Sequence, residues 1–299
     1  MDPRRLGLLL ELSRRGSMRE VAEATGVATS TVSQQLAVLA REAGATLIEP
    51  DGRRVRLTPA GKRLAGHAVT ILAAIEAAQA DLDPSAEASG TVRVAAFATA
   101  ARDALLPVVR ALLRDHPLVR LHIHEHEPEE SLNFLAADQV DLALTYDFNL
   151  APFTFDRALV TRPLWTTEWS LAVPDSGTRP VGDSLATFAH FRGWEWVVNS
   201  RGTSDTDVIR TVASLAGFTP MIGHQADSLE LVQDIVAAGL AVGLLPTARP
   251  VIPGIVLLPL TRPDVVLRTF AVTRSGRQDW PALALVLRLL IEHGAGARG

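Results

Sequence analysis

Hydrophobic residues recur at helical spacing in three short stretches near the start of the chain. The pattern predicts helices over 4–15, 18–24 and 29–42. The second and third helices are joined by a turn at Gly26, which is the arrangement of a helix-turn-helix. An ordinary three-helix bundle with a polar surface remains the alternative at this point.

Polar residues at two positions refine this prediction. Ser17 and Glu20 have the spacing of a capping box, in which a hydroxyl and a carboxylate satisfy free backbone amides at the start of the second helix. The outward face of the third helix carries short polar groups that can approach base edges, and Gln34 is able to pair with adenine through two hydrogen bonds. The expected DNA contacts of this helix are Thr29, Ser30, Ser33 and Gln34.

A β-hairpin is predicted directly after the third helix. Asp51-Gly52 is a strong two-residue turn signal between two short alternating segments. Alternation places hydrophobic residues on one side of the second strand and arginines on the other. Following a helix-turn-helix, such a hairpin is typical of a wing that contacts phosphates or a narrow minor groove. The expected wing contacts are Arg53, Arg54 and Arg56; surface salt bridges are the alternative for them.

A long helix is predicted over 59–82. Thr58 can cap it, and Pro59 occupies its favoured first position. Its hydrophobic stripe is too long to be buried on so small a head, so we expect it to pair with its copy in a second chain; packing within the chain is the alternative. The polar segment 83–90 that follows reads as a hinge.

Beyond the hinge, short strands alternate with helices, which predicts a parallel sheet with right-handed crossovers. The first lobe is expected to contain strands at 91–97, 119–123 and 141–146 and helices at 101–114 and 129–137. The second is expected to contain strands near 170–173, 196–198 and 241–245 and helices at 205–216 and 228–238. A strand at 267–273 returns to the first lobe, and a helix at 281–293 closes the chain.

Charge divides unevenly along the 299 residues. The net charge of −4 argues against a nucleic-acid binder, but residues 1–66 carry 11 Lys and Arg against 7 Asp and Glu, and the remainder carries 18 against 26. A basic head on an acidic body fits DNA contact at one end.

The absence of cysteine excludes disulfides, cysteine-ligated zinc and thiol catalysis. No apolar run reaches membrane-spanning length and no secretory signal is recognisable, so no membrane partner is expected and the cytoplasm is the expected compartment.

The ordered set of motifs resembles the LysR-type transcriptional regulators over nearly the whole chain. The segments that carry the resemblance are Ser17–Ala22, Val32–Leu36, Arg53–Gly61, Leu105–Pro107, Asp141–Leu144, Gly217–Pro220 and Val236–Pro246. The chain departs from the family pattern at three places. The family commonly has serine where Ala28 stands, so Thr29 becomes the expected cap of the third helix. Gln34 and Glu49-Pro50 stand where the family often has arginine, so the motifs do not indicate the operator sequence.

The resemblance implies an α/β protein with an N-terminal winged helix-turn-helix, a long linker helix and a two-lobed periplasmic-binding-protein-like effector domain. The expected boundaries are 1–58 for the DNA-binding domain, 59–90 for the linker and hinge, and 91–299 for the effector domain. Lobe I is expected at about 91–162 and 267–299, and lobe II at about 163–266. The implied partners are double-stranded DNA with an interrupted palindrome, a small-molecule effector and one or three further copies of the chain. No cofactor is implied.

An effector is expected where the carboxyl ends of the strands meet helix N-termini. The residues placed there are Thr99, Ala100, Ala101, Arg102, Tyr146, Asp147, Ser200, Gly202, Thr203 and Asp227. Helix capping is the alternative role for each Ser, Thr and Asp. Arg102 and Arg201 at this cleft favour a small organic anion.

Other chemistry is weakly indicated. No nucleophile elbow, carboxylate pair or phosphate loop is recognisable, so no catalytic residue is expected and the chain is not expected to be an enzyme. His122, His124 and His126 alternate along a strand; a solvated edge is favoured over a metal site or a pH-sensitive contact. Four tryptophans could line the cleft or belong to the core: Trp165, Trp169, Trp194 and Trp196. A solute-binding protein, or an enzyme with an appended head, remains the alternative function.

Overall fold

The N-terminal head contains three helices and a hairpin. The structure, a computed structural model, describes residues 1–52, 54–83, 87–176, 182–201 and 204–296. The elements of the head are α1 (Pro3–Arg15), α2 (Met18–Thr25), α3 (Thr29–Ala43), β1 (Ile48–Asp51) and β2 (Arg54–Leu57). Gly26 ends α2 with a φ of 70°, a left-handed conformation that glycine adopts without strain. The predicted capping box is wrong, because Ser17 lies at the N-cap but its side chain makes no capping hydrogen bond.

Buried aliphatic side chains hold the head together. Leu9 of α1, Val21 of α2 and Leu36 of α3 are all fully buried in one cluster. Burial of each such side chain contributes about 1.5–3 kcal/mol relative to exposure, which is how three short helices become stable together. The hydrophobic residues that recur at helical spacing in α3, namely Val32, Leu36 and Leu39, thus form its buried face.

The linker helix α4 (Pro59–Leu82) has the predicted bounds and cap. The amide of Gly61 donates to the hydroxyl of Thr58 at 3.0 Å. Ala68 is buried against the head, and Ala73 is buried against the body. The in-chain alternative therefore holds for part of the predicted stripe, while Ile71 is exposed.

The body has two lobes joined by a shared strand. Its first elements are β3 (Gly90–Ala96), α5 (Ala98–Ala100), a π-turn (Ala101–Leu105), α6 (Leu106–Asp115), β4 (Val119–Glu125), α7 (Pro128–Ala136) and β5 (Leu142–Phe148). There follow β6 (Leu159–Pro174), α8 (Ser184–His190), β7 (Glu195–Val198), α9 (Ser204–Leu215), β8 (Met221–Gln225) and α10 (Leu229–Ala237). The last are β9 (Gly243–Pro246), β10 (Ile255–Pro259), β11 (Val266–Arg274), a 3₁₀ turn (Arg277–Asp279) and α11 (Pro281–Gly296).

Strand pairing is more mixed than the sequence indicates. β3 pairs in parallel with β4 and β5, and β7 with β8. β11 runs antiparallel to β5 and to the first part of β6, whereas the last part of β6 pairs antiparallel with β9 and β10. The predicted parallel pairing is confirmed for β3, β4 and β5 of lobe I, whereas it is wrong in lobe II for β6 and β9, which run antiparallel. Because β6 is hydrogen-bonded in both lobes, it carries the chain across the cleft between them.

Buried ion pairs connect the head to the body. The carboxylate of Asp141 accepts from Arg93 Nη2 at 2.9 Å and from Arg277 Nη2 at 3.0 Å. The neighbouring Asp138 accepts from Arg14 Nε of the head at 2.8 Å. Burial alone would raise the pKa of Asp141, but its hydrogen bonds from Arg93 and the charges of Arg93 and Arg277 outweigh it and hold the pKa below the usual value.

Among the described residues, none of the helices combines the length and apolar character needed to cross a membrane.

Replacing Asp141 with Asn should destabilise the protein by about 3–5 kcal/mol, because it leaves buried arginines without their counter-charge. In the parent, the lowered pKa stabilises the fold fully above the usual Asp value of 3.8, and this contribution is lost as the pH falls through the folded-state value. Urea unfolding at several pH values measures both effects.

Asp115→Asn is the matched control, since Asp115 is exposed and its ion pair with the adjacent Arg114 lies at the surface. Its unfolding midpoint should stay at the parent value. An Asp141→Asn midpoint equal to that of the control would contradict the role given to this carboxylate.

Candidate functional site

The outward face of α3 presents the four residues expected to contact DNA. Thr29, Ser30, Ser33 and Gln34 are all exposed. Ala28 is the N-cap and no side chain caps the helix, so the expectation that Thr29 does so is wrong. Uncapped amides at a helix N-terminus favour a phosphate group there.

The hairpin beside α3 has the register expected of a wing. Glu49 lies opposite Arg56, and their side chains form an ion pair of 2.9 Å. The salt-bridge alternative thus applies to Arg56, which is nevertheless exposed. Arg54 begins β2, whereas Arg53 lies outside the described residues.

A cleft between the two lobes contains two adjacent cavities. The inner one, of about 80 Å³, is lined in part by residues at or just after the carboxyl ends of β3, β4, β5 and β7. Its described lining is Phe97, Ala98, Thr99, Glu127, Tyr146, Phe148, Trp169, Val197, Val198, Asn199, Asp205, Ala226, Asp227, Leu229, Val232, Leu244 and Leu267. The outer one, of about 450 Å³, shares Phe97, Thr99, Trp169 and Leu267 with it. This is the position expected for the effector from the strand-end rule, by which ligands bind beyond the carboxyl ends of parallel strands.

The cleft contains several of the predicted effector residues. Thr99, Tyr146 and Asp227 line the inner cavity, and Ala100 lines the outer one. Ser200 lies beside them, with its hydroxyl 2.6 Å from Asp227 Oδ1.

Other predicted residues lie elsewhere. Ala101 packs against the hydrophobic core of the body. Asp147 is buried outside the cleft, where Arg268 binds both its carboxylate oxygens at 2.8 and 2.7 Å. The difference arises because side chains alternate along β5, so Tyr146 and Asp147 point to opposite faces. Gly202 and Thr203 lie outside the part of the chain that the structure describes.

Both arginines expected to attract an anion are paired across the cleft. Arg102 donates to Glu230 at 3.0 Å, and Arg201 donates to Glu130 at 3.0 Å. Each pair joins the two lobes. The residues involved are well exposed, so these bonds are individually weak and hold the lobes together reversibly. With their charges matched by carboxylates, the reason for expecting an anionic effector is lost.

The inner-cavity residues that the sequence prediction missed include Phe97, Glu127, Trp169 and Asp205. Phe97 and Glu127 follow the ends of β3 and β4, where the strand-end rule would have found them. For Trp169 the sequence allows a place either in the cleft or in the core, and Asp205 is the first residue of the helix predicted over 205–216. Trp196, by contrast, is a fully buried core residue.

Glu127 is an acid of the cleft with a raised pKa. Tyr146 donates its hydroxyl to Glu127 Oε2 at 2.8 Å. Burial raises the pKa of Glu127, and the negative charges of Asp205 and Asp227 raise it further, against the lowering effects of Tyr146 and Arg201. The inner cavity is therefore a place where negative charge is crowded.

Two other features do not form a site. A cavity of about 910 Å³ separates head and body, but several of its charged side chains are paired with one another, as Arg14 is with Glu11. His122 and His124 are exposed on β4, the edge strand. Over the described ranges, no group of three or more His, Cys, Asp or Glu residues could hold a metal ion.

Comparison with known proteins identifies the family. Residues 3–62 match the model of the bacterial regulatory helix-turn-helix protein, lysR family, and residues 85–295 match the LysR substrate binding domain. The chain belongs to the LysR family. It is therefore a LysR-type transcriptional regulator with a DNA-binding head and an effector-binding body, and not an enzyme. The family and the fold class predicted from the sequence are confirmed.

Individual relatives are similar over most of the chain. The dual regulator GltC of Bacillus subtilis is 27% identical over 248 residues, 82% of this chain and 81% of that protein. OxyR of Escherichia coli is 26% identical over 298 residues, 96% of this chain and 95% of that protein. Among solved structures, full-length OxyR from Pseudomonas aeruginosa has a TM-score of 0.75 at 20% identity, covering 98% of this chain and 94% of its own. CbnR complexed with its target DNA has a TM-score of 0.52 at 21% identity, covering 98% and 100%.

Replacing Glu49 with Gln should strengthen DNA binding by this LysR-type regulator, because it frees the guanidinium of Arg56 and removes a negative charge from the wing. One additional phosphate contact would steepen the dependence of log K on log salt by about 0.9. Fluorescence anisotropy at several salt concentrations measures both quantities.

Glu125→Gln removes an exposed carboxylate from the body and should leave affinity and slope unchanged. If Glu49→Gln behaves like this control, Arg56 does not contact DNA.

Proposed function

We propose that this LysR-type regulator binds an interrupted palindrome as a symmetric oligomer, with α3 in the major groove and the hairpin on the adjacent backbone. The exposed polar face of Thr29, Ser30, Ser33 and Gln34 is the observation that carries this proposal. These side chains are short enough for base edges to approach, and they lie on a helix held rigidly by the buried head cluster. A two-fold symmetric oligomer presents two such helices, which is why its operator would have two half-sites.

A small molecule held between the lobes would control this binding. The cavities at the strand ends support that role, and the weak cross-lobe pairs of Arg102 and Arg201 would allow the lobes to open for entry. The sequence contains no cysteine, so thiol oxidation is not the signal and reversible binding is the remaining chemistry. A regulator that acts on chromosomal DNA works in the bacterial cytoplasm.

Gln34→Ala tests the DNA contact. Loss of one bidentate base contact should weaken binding to DNA from the protein's own promoter region by roughly 5- to 150-fold, which corresponds to about 1–3 kcal/mol. Binding to unrelated DNA of the same length should change little, because phosphate contacts supply it. Anisotropy titrations with both DNAs measure the difference.

Gln225→Ala provides the matched control, since Gln225 is an equally exposed glutamine on the body. It should bind both DNAs like the parent. Equal affinity of the parent protein for promoter and unrelated DNA would rule out sequence-specific recognition of that region.

A further inference from the structure

We propose that the interlobe cleft recognises an organic cation: a small molecule whose protonated amine enters the inner cavity while its apolar body lies in the outer one. This inference rests on the proposed function in one respect, namely that the cleft is the effector site. It reverses the charge that the two arginines suggest from sequence.

The charged groups facing the inner cavity are all acidic. Glu127, Asp205 and Asp227 line it, and they come from three separate parts of the chain. No Lys, Arg or His occurs among the described residues of this lining. Asp205 accepts a hydrogen bond from the backbone amide of Asn199 at 2.8 Å, and Asp227 accepts one from that of Ser200 at 2.9 Å. These bonds fix the carboxylates in place. Arg201 Nε lies 3.5 Å from Asp227 Oδ2 and offsets part of their charge, but Arg201 also pairs with Glu130, so the cavity keeps an excess of negative charge.

Aromatic rings form the wall of the same cavity. Phe97 and Tyr146 meet edge to face with centroids 4.7 Å apart, and Phe148 and Trp169 do so at 5.3 Å. Ring faces attract cations and repel anions through their quadrupole. An ammonium group is therefore favoured twice, by the carboxylates and by the rings, whereas a carboxylate ligand would be opposed by both.

The outer cavity contributes an independent indication of a ligand. The hydroxyl of Thr269 is buried and has no hydrogen-bond partner among the described residues, although Thr269 lines this cavity and is only 1% exposed. Trp169 borders both cavities, and its indole nitrogen is also buried without a hydrogen-bond partner among the described residues. Buried polar groups are rarely left unpaired unless a further molecule satisfies them. A ligand with a hydrogen-bonding group beyond its amine would reach both.

The sizes of the two cavities set the orientation of the ligand. About 80 Å³ admits an ammonium group with a short stem, and about 450 Å³ accommodates an aromatic or branched aliphatic body. The electrostatics agree, because a cation beside Glu127 would offset the cost of burying its carboxylate, which is the main reason that its pKa is raised. Binding energy would then come from charge pairing inside and apolar burial outside.

The test compares amines with carboxylates of the same shape on the full-length protein. Benzylamine against benzoate and butylamine against butyrate, at equal ionic strength and pH 7, are assayed by thermal unfolding. Each amine should raise Tm by roughly 2 °C at ten times its Kd. Each carboxylate should leave Tm unchanged.

Variants locate the effect within the cleft. Glu127→Gln and, separately, Asp205→Asn should abolish the amine-induced shift, whereas Glu129→Gln, an exposed neighbour on α7, should retain it. Two separate cleft variants keep the test decisive if one of them fails to fold. The inference is overturned if neither amine shifts Tm, if the carboxylates shift it instead, or if Glu127→Gln and Asp205→Asn respond like the parent.

DNA binding measured on the same preparations separates this inference from the proposed function. If promoter DNA is bound and amines have no effect, the proposed ligand class is wrong, while the proposed function as a DNA-binding regulator is retained. If promoter DNA is bound no better than unrelated DNA, the proposed operator recognition fails whatever the amines do.

Discussion

The carboxylate of Asp141, almost fully buried, is the contact on which the arrangement of head, linker and body depends. A lone buried charge would cost far more than the fold could tolerate, and Asp141 is stable only because Arg93 and Arg277 surround it. Arg277 also lies 4.0 Å from the ring of Trp280, directly before α11, and Asp138 next door holds Arg14 of α1. The same cluster thus fixes the end of one strand, the start of the last helix and the position of the head.

Local sequence signals predicted most of the fold. The helices of the head, the linker with its Thr58 cap and the strands of lobe I follow from periodicity and turn residues that act within a few positions. Local signals did not predict the antiparallel pairing of β6, β9, β10 and β11, because the direction of a strand is decided by partners that are distant in sequence. Ser17 shows the same limit. The sequence motif indicates that its hydroxyl can cap α2, but whether the hydrogen bond forms depends on the packing around it.

For the cleft, too, the sequence predicts one property and not another. Its position followed from the ends of the strands, and Thr99, Tyr146 and Asp227 were found by that rule. Its charge could not be read from the sequence, because the carboxylates that neutralise Arg102 and Arg201 lie 128 and 71 residues away in the chain. Only the folded arrangement shows that these arginines join the lobes and that the acids face the cavity.

β11 runs from the cleft to the linker helix α4. Thr269 borders the outer cavity, and Arg274, five residues further along the strand, lies 3.5 Å from Asp138 and 3.4 Å from the carbonyl oxygen of Gly66 in α4. That stretch of strand is about 17 Å long; β5 pairs with it as far as Val272 and β6 along its length, with a shift of register after Thr269. A displacement imposed on the strand at the outer cavity would therefore be passed along β11 to the first turns of the linker helix.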